Sequence, residues 1–321
     1  MSVTQLSDII EPAVFTQYQI QNSLENTPLL NSRIVTLNGV MQAQLKAGAH
    51  SFTVPFWQDL ADDEANIVND DPTQFSTPHK IGTGKQVVRK SFLHNSWSSM
   101  GLASEIAGAD ANERIKTRVK AYWDRQLQKR LVASLVGLKA ANAVDNASDM
   151  ITVLPDFNAA SVIAAAGTLG EQMGDITAIA MHSDIYQRAL TNDLIETMPD
   201  SEGGFIQTFR GLAIIVSDAL PVSEEGDYTS VLFGADAFGY ALAAPNYSEG
   251  TEVESLPSAG KGGGQTVLHS RLNIAMHPAG YMWNETTVAG ESPDLSELIL
   301  PANWTRVLER KAVKIAFLET K

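Results

Sequence analysis

From Asp110 to about Val144 the chain reads as one helix of about 35 residues, a rod of roughly 50 Å at about 1.5 Å per residue. Ile115, Val119, Tyr122 and Trp123 recur at helical spacing, and Leu127, Leu131, Leu135 and Leu138 continue the pattern. No proline breaks it, and only Gly137 interrupts it. Asp110 and Glu113 have the spacing of a capping box, with Asp in the usual Ser/Thr place. The mean globular helix is about 11–12 residues, so a rod this long demands an elongated molecule built along it.

The flanking segments read differently. Residues 1–50 are polar and rich in Gln, Asn and Thr, with scattered apolar residues such as Val14, Phe15, Leu29 and Leu30. They read as an extended arm with short helical pieces and too little periodicity for a core of its own. Phe52, Val54 and Phe56 alternate with polar neighbours, which is a strand pattern. A polar excursion follows, from Ala61 to about Lys85, carrying Asp62, Asp63, Glu64, Asp70, Asp71 and the Gly82–Gly84 pair. A second strand returns over Lys85–Phe92. Loops of this length are uncommon inside compact domains, so a two-stranded loop reaching away from the body is expected.

Beyond Leu154 helices and strands alternate. A helix over Asn158–Gln172, a strand over Asp175–Met181 and a helix capped by Ser183 to about Leu190 come first. Strands at Leu212–Val216, Val231–Phe233 and Tyr240–Ala243 follow, which suggests a compact second domain. The remainder is strand-like, at Thr266–Met276, Tyr281–Trp283, Trp304–Leu308 and Val313–Leu318. No internal repeat is visible.

The chemistry of the side chains excludes several function classes. The chain has no cysteine, so disulfides, thiolate zinc sites and cysteine nucleophiles are ruled out. Its formal charge of −14 makes it a poor non-specific DNA binder. A protein lining a DNA container could still be acidic if its basic residues were gathered on one surface. Residues 110–130 fit that pattern: Arg114, Lys116, Arg118, Lys120, Arg125, Lys129 and Arg130 outnumber Asp110, Glu113 and Asp124. At about 100° per residue, Arg114, Arg118, Arg125 and Lys129 form one stripe, expected to face an interior.

Gly82-Thr83-Gly84-Lys85 resembles half of a phosphate loop, but His79 and Gln86 stand where that motif needs Gly and Ser/Thr. Lys261-Gly262-Gly263-Gly264 reads as a linker. His182-Ser183-Asp184 reads as a helix start, because the members of a catalytic triad converge from distant positions. The six histidines show no metal-ligand spacing, and the acidic run from Asp59 to Asp71 lacks the pattern of a calcium loop. No catalytic, cofactor-binding or metal residue is identified, and the chain is expected not to be an enzyme. MSVTQLSDII lacks the regions of a signal peptide and no apolar run is long enough to span a membrane, so a soluble protein made in a host cytoplasm is expected.

The order of elements and several local sequences carry a resemblance. Thr53–Leu60 (TVPFWQDL), Lys85–Phe92 (KQVVRKSF), Ala121–Gly137, His277–Trp283 (HPAGYMW) and Ala302–Thr320 are similar to segments of tailed-phage major capsid proteins of the Hong Kong 97-type fold. The resemblance spans nearly the whole chain. It implies an α+β fold with an N-terminal arm (1–50), an E-loop (51–92), a peripheral domain (93–153 and 249–321) holding a spine helix at about 110–145, and an axial domain (154–248). It implies self-assembly into hexamers and pentamers that tile an icosahedral shell around double-stranded DNA, with no cofactor and no membrane. The expected location is the virion capsid. A separate scaffolding protein and a portal are expected partners, and a decoration protein is a candidate one. Within the E-loop, Phe56, Trp57, Ile67, Phe75, Ile81 and Lys85 are the expected assembly residues. Some relatives join an E-loop lysine to a neighbour's asparagine; Lys80 and Lys85 lie in the right loop, but no acceptor is identifiable and no crosslink is expected. Two other readings stay open: an encapsulin-like compartment enclosing cargo, and a soluble α/β enzyme with a lid at 61–85.

Overall fold

The computed structural model describes residues 27–321 apart from 33, 61–62, 108–109, 200–204, 224 and 286. The arm residues before Thr27, Val14 and Phe15 among them, lie outside the described residues.

The first described elements are α1 (Pro28–Asn31), β1 (Val35–Leu37) and α2 (Gly39–Leu45). They are docked on the body: Leu29, Ile34 and Val35 enter the main core, while Met41 and Leu45 of α2 form a smaller one with Val88, Ala241 and Ala275. This part of the arm thus borrows a core that its own sequence cannot make. Then come β2 (Ser51–Trp57), β3 (Thr83–Met100), α3 (Gly101–Ala107) and α4 (Ala111–Asp145).

The long helix is α4, at 35 residues. The Asp110 carboxylate caps it by accepting from the Asn112 N–H at 2.9 Å. Glu113 does not reach back to complete a capping box; it pairs with Lys116 at 3.8 Å. Trp123, Leu127, Leu131, Leu135 and Leu138 are buried as their spacing implies. Gly137 is a close-packing position rather than a weak point. A Cβ there would lie 2.1 Å from the Leu298 carbonyl oxygen and 2.7 Å from Trp304 Nε1.

After α4 the chain runs through β4 (Ile151–Val153), α5 (Ala159–Gly167), β5 (Ile176–Met181), α6 (Ser183–Thr191), β6 (Glu196–Pro199), β7 (Phe205–Phe209), β8 (Leu212–Val216), β9 (Tyr228–Gly234) and β10 (Phe238–Ala243). It closes with β11 (Thr251–Leu256), β12 (Gln265–Pro278), β13 (Tyr281–Trp283), α7 (Leu295–Ile299), β14 (Trp304–Arg306) and β15 (Ile315–Thr320). One sheet has the order β1-β10-β12-β3-β2, with β11 also paired to β12. A second has the order β4-β15-β9-β5-β8-β7-β6, and β13 pairs with β14 alone. The main core lies where α4, β13, β14 and faces of both sheets meet; α5 and α6 cover a second core on the β5–β9–β15 part of the second sheet.

Several boundaries move. The returning strand does not stop at Phe92: β3 continues to Met100, because Lys90–Met100 pair antiparallel with Gln265–Ala275 of β12. The expected helix over Asn158–Gln172 is α5 followed by a 3-10 turn at Gly170–Asp175. His182, not Ser183, is the cap of α6, its Nδ1 accepting from the Asp184 N–H at 3.3 Å. Sheet membership also cuts across the sequence ranges. β10 falls within 154–248 yet belongs to the first sheet, while β4 and β15, outside that range, belong to the second.

Candidate assembly surface

The β2–β3 ribbon is anchored at its base and open at its tip. Its register runs from Ser51 opposite Arg89 to Trp57 opposite Thr83. At the base Arg89 donates to Glu285 and to the Glu291 carbonyl, both at 2.9 Å. Lys90 is buried beside it. Its ammonium donates to the Ala47 carbonyl at 2.6 Å and sits 5.8 Å from the centre of the Phe52 ring. Burial lowers the Lys90 pKa from its ordinary value. Phe52 and Val54 point inward and pack against Met41, Leu45 and Val88.

Further out the inward face runs out of body to cover. Phe56 lies over Gly84, where an added Cβ would sit 2.4 Å from the ring, so this glycine makes room for an aromatic neighbour instead of a phosphate. Trp57 is 71% exposed. Between residues 58 and 82 no helix or strand forms among the described residues. There the backbone hydrogen bonds among described residues are Gln58 N–H to Gly82 O and Gln74 N–H to Asp71 O. The tip is a polar turn in which Asp71 accepts from the Thr73 backbone and hydroxyl, and these bonds hold its carboxyl below the usual range. Around this turn Ile67, Val68 and Phe75 are 85, 94 and 88% exposed. Leu60, Ile81 and Lys85 are exposed as well. The candidate residues Trp57, Ile67, Phe75, Ile81 and Lys85 thus share one open ribbon, with Phe56 half-buried at its root. Val68, which the sequence already places among the apolar residues of the excursion, belongs with them, and so does Leu60, an isolated apolar residue in a polar stretch with no periodic signal to find it by.

The basic half of α4 divides into two sets. Arg114, Arg118 and Arg125 are partly exposed and Lys129 is exposed, on the side of the helix away from Trp123, which donates to Ser270 of β12 at 2.9 Å. Arg130 is buried. It donates to the Ser91 hydroxyl at 2.8 Å and the Pro293 carbonyl at 2.5 Å, and burial pushes its guanidinium down to about 10 against the opposing field of Asp294. It is a structural cation in the core of the helix–sheet contact, although it adds to the basic excess of the sequence. Among the described residues no group of three or more His, Cys, Asp or Glu side chains could hold a metal ion, and no helix is long and apolar enough to cross a membrane.

The model of one family, Gp13-like (major capsid protein 13-like), matches residues 79–314. The chain is also 34% identical over 324 residues to the major capsid protein of Bacillus phage SPP1, covering 98% of this chain and 97% of that one. The chain belongs to the Gp13-like major capsid protein family. This capsid protein shares its fold with the acid-stable capsid of Helicobacter pylori bacteriophage KHP30, at a TM-score of 0.58, 13% identity and coverage of 99% and 97% of the two chains. The holo-SrpI encapsulin complex of Synechococcus elongatus has the same fold at a TM-score of 0.52, 11% identity and coverage of 96% and 92%. The α+β, Hong Kong 97-type architecture expected from the sequence is therefore the one observed, with α4 as the capsid protein's spine helix and β2–β3 as its E-loop ribbon.

Proposed function

We propose that this major capsid protein builds an icosahedral phage head from hexamers and pentamers, and that the 58–82 excursion of each copy is completed by the copy beside it. One observation carries the reading: six large apolar side chains (Trp57, Leu60, Ile67, Val68, Phe75 and Ile81) stand exposed on a segment whose backbone bonds little to its own body. Burying such a side chain fully is worth roughly 1.5–3 kcal/mol. A contact that buries several, repeated around a closed ring, is a sufficient driving force for a capsomer. The role is structural, with no chemical step.

The stripe of Arg114, Arg118, Arg125 and Lys129 lines the interior in this reading, facing a separate scaffolding protein during assembly and double-stranded DNA afterwards. The portal, and a decoration protein where present, meet the finished shell. Assembly takes place in the host cytoplasm. Particle contents separate a phage head from an encapsulin-like compartment: nuclease-protected DNA of genome length supports the first, a packed cargo protein the second. A map with the stripe on the outer surface would remove the interior assignment.

The test of the loop is its excision. Replacing residues 62–84 by a short Gly/Ser turn should leave the circular dichroism and thermal melting of the subunit intact, since loop length costs little in closure entropy. Sedimentation and negative-stain microscopy should find no capsomers or shells. Normal shells would reject the loop's role, and an unfolded variant would return it to the subunit's own core.

A further inference from the structure

On the face of the first sheet turned away from α4, β3 and β12 bring two histidines together. His94 lies opposite Arg271 in the ladder and His269 opposite Ser96, so the two rings are diagonal neighbours. His94 Nε2 and His269 Nδ1 are 3.4 Å apart, with ring centres 5.6 Å apart and planes 24° from parallel. The difference between those separations is about two imidazole ring radii, so the two nitrogens point at each other along the line of centres.

The third strand fixes which nitrogen carries a proton. His269 Nε2 lies 3.1 Å from the Glu254 carboxylate of β11, which can only accept. The neutral His269 ring is therefore protonated at Nε2 and bare at Nδ1, and His94 must donate its Nε2–H into the gap. There is room for one proton between the rings. The charged and titratable groups around the pair are Arg271 of β12, Glu252 and Glu254 of β11, and Tyr247 of the preceding segment; Arg271 is itself bonded to Glu252 at 2.5 Å.

We propose that His94 and His269 form a one-proton latch between β3 and β12 that opens when both rings become cationic, His94 then swinging off the sheet. The first added proton keeps the contact, because an imidazolium still donates to a neutral imidazole and Glu254 offsets its charge. The second forces two N–H groups to face each other beside Arg271. His269 is held by Glu254 and is the less exposed ring, so His94 is the one that moves. The pair walls an open cleft of about 500 Å³ with Phe92, Leu93, Pro245, Tyr247 and Asn273, which opening would reshape. Partial burial, then His269 and Arg271, lower the His94 pKa from its ordinary value of 6.5. The sign follows: the latch contributes above the ordinary histidine range and is lost as pH falls through the folded-state step below it.

Histidine C2-hydrogen exchange, read by mass spectrometry on the full chain, measures both midpoints. The His94 midpoint should lie below the ordinary range and rise by about half a pH unit or more in His269→Asn. Radical footprinting of Phe92 and Tyr247 should increase through the lower step in the parent chain and stay flat in His94→Asn. A His94 midpoint that His269→Asn leaves unmoved, or footprinting that ignores the lower step, would each overturn the latch.

Discussion

Replacing Gly137 with alanine sets two well-measured effects against each other in the middle of the spine helix. Alanine is a better helix former than glycine by about 1 kcal/mol, so propensity alone calls for stabilisation. The packing opposes it. The new methyl would stand 2.1 Å from the Leu298 carbonyl oxygen and 2.7 Å from Trp304 Nε1. Those two atoms are hydrogen-bonded to each other at 2.9 Å, and Trp304 is almost wholly buried. To admit the methyl, α7 and β14 must retreat from α4, which costs about 1–3 kcal/mol as overpacking. Breaking the indole–carbonyl bond in a buried site costs a further 1–3 kcal/mol or so. The net expectation is a loss of about 3 kcal/mol. Urea unfolding of unassembled subunits, followed by tryptophan fluorescence, measures it. Gly167→Ala is the control: nothing lies within 4 Å of its Cβ position, so it should be neutral or mildly stabilising. In a Trp304→Phe background the cost of Gly137→Ala should shrink by about 1 kcal/mol, since the indole N–H is gone and the two sites are coupled. If Gly137→Ala behaves like Gly167→Ala, the close approach of the helix to Leu298 and Trp304 is wrong.

Burial pushes the His277 imidazole down to about 4, against the Tyr281 carbonyl to which its Nε2–H donates at 2.7 Å. Its contribution is full above the unfolded midpoint near 6.5 and is lost as pH falls through about 4, roughly 3 kcal/mol in all; in His277→Gln the stability difference between neutral and acidic urea melts should shrink by about that amount, and an unchanged difference would reject the assignment. Arg130→Ala should cost about 3 kcal/mol, because it strands the Ser91 hydroxyl and the Pro293 carbonyl, whereas Lys129→Ala next to it should stay within about 0.5 kcal/mol; equal effects on unfolding free energy would count against the buried role. Boiled, SDS-treated particles should run as one band at the monomer mass of 34.6 kDa, and a ladder would reveal a covalent crosslink.

The parts of the fold that were legible in the sequence are those whose pattern is local. Asp110 and the leucines at 127, 131, 135 and 138 fixed the spine helix because both cap and stripe are read over neighbouring turns. Leu212–Val216 is the strand its composition suggested. The extension of β3 through His94, Asn95, Ser96 and Ser98 was hidden, since those residues hold a strand only because β12 pairs with them. Asp294 and Glu297 form a complete capping box on α7, a signal present in the sequence but without the apolar periodicity that a helix of five residues is too short to show. Arg130 could not be told from the exposed basic residues, because helical spacing gives direction around an axis but not what stands opposite. For the candidate surface, the sequence marked the ribbon and most of its apolar residues, while the anchoring by Arg89 and Lys90 depends on partners up to about 200 positions away.

The seven-stranded sheet sets an order of events during synthesis. β15 lies between β4 and β9, antiparallel to Tyr228–Gly234 and parallel to Ile151–Val153. Until residues 315–320 have left the ribosome, β9 presents an unpaired edge and β4 has no neighbour in the sheet. The backbone edge of β9 that β15 finally pairs is then open to any other nascent copy on the same message. A head needs many copies made at once, so this sheet is where crowded synthesis would first go wrong.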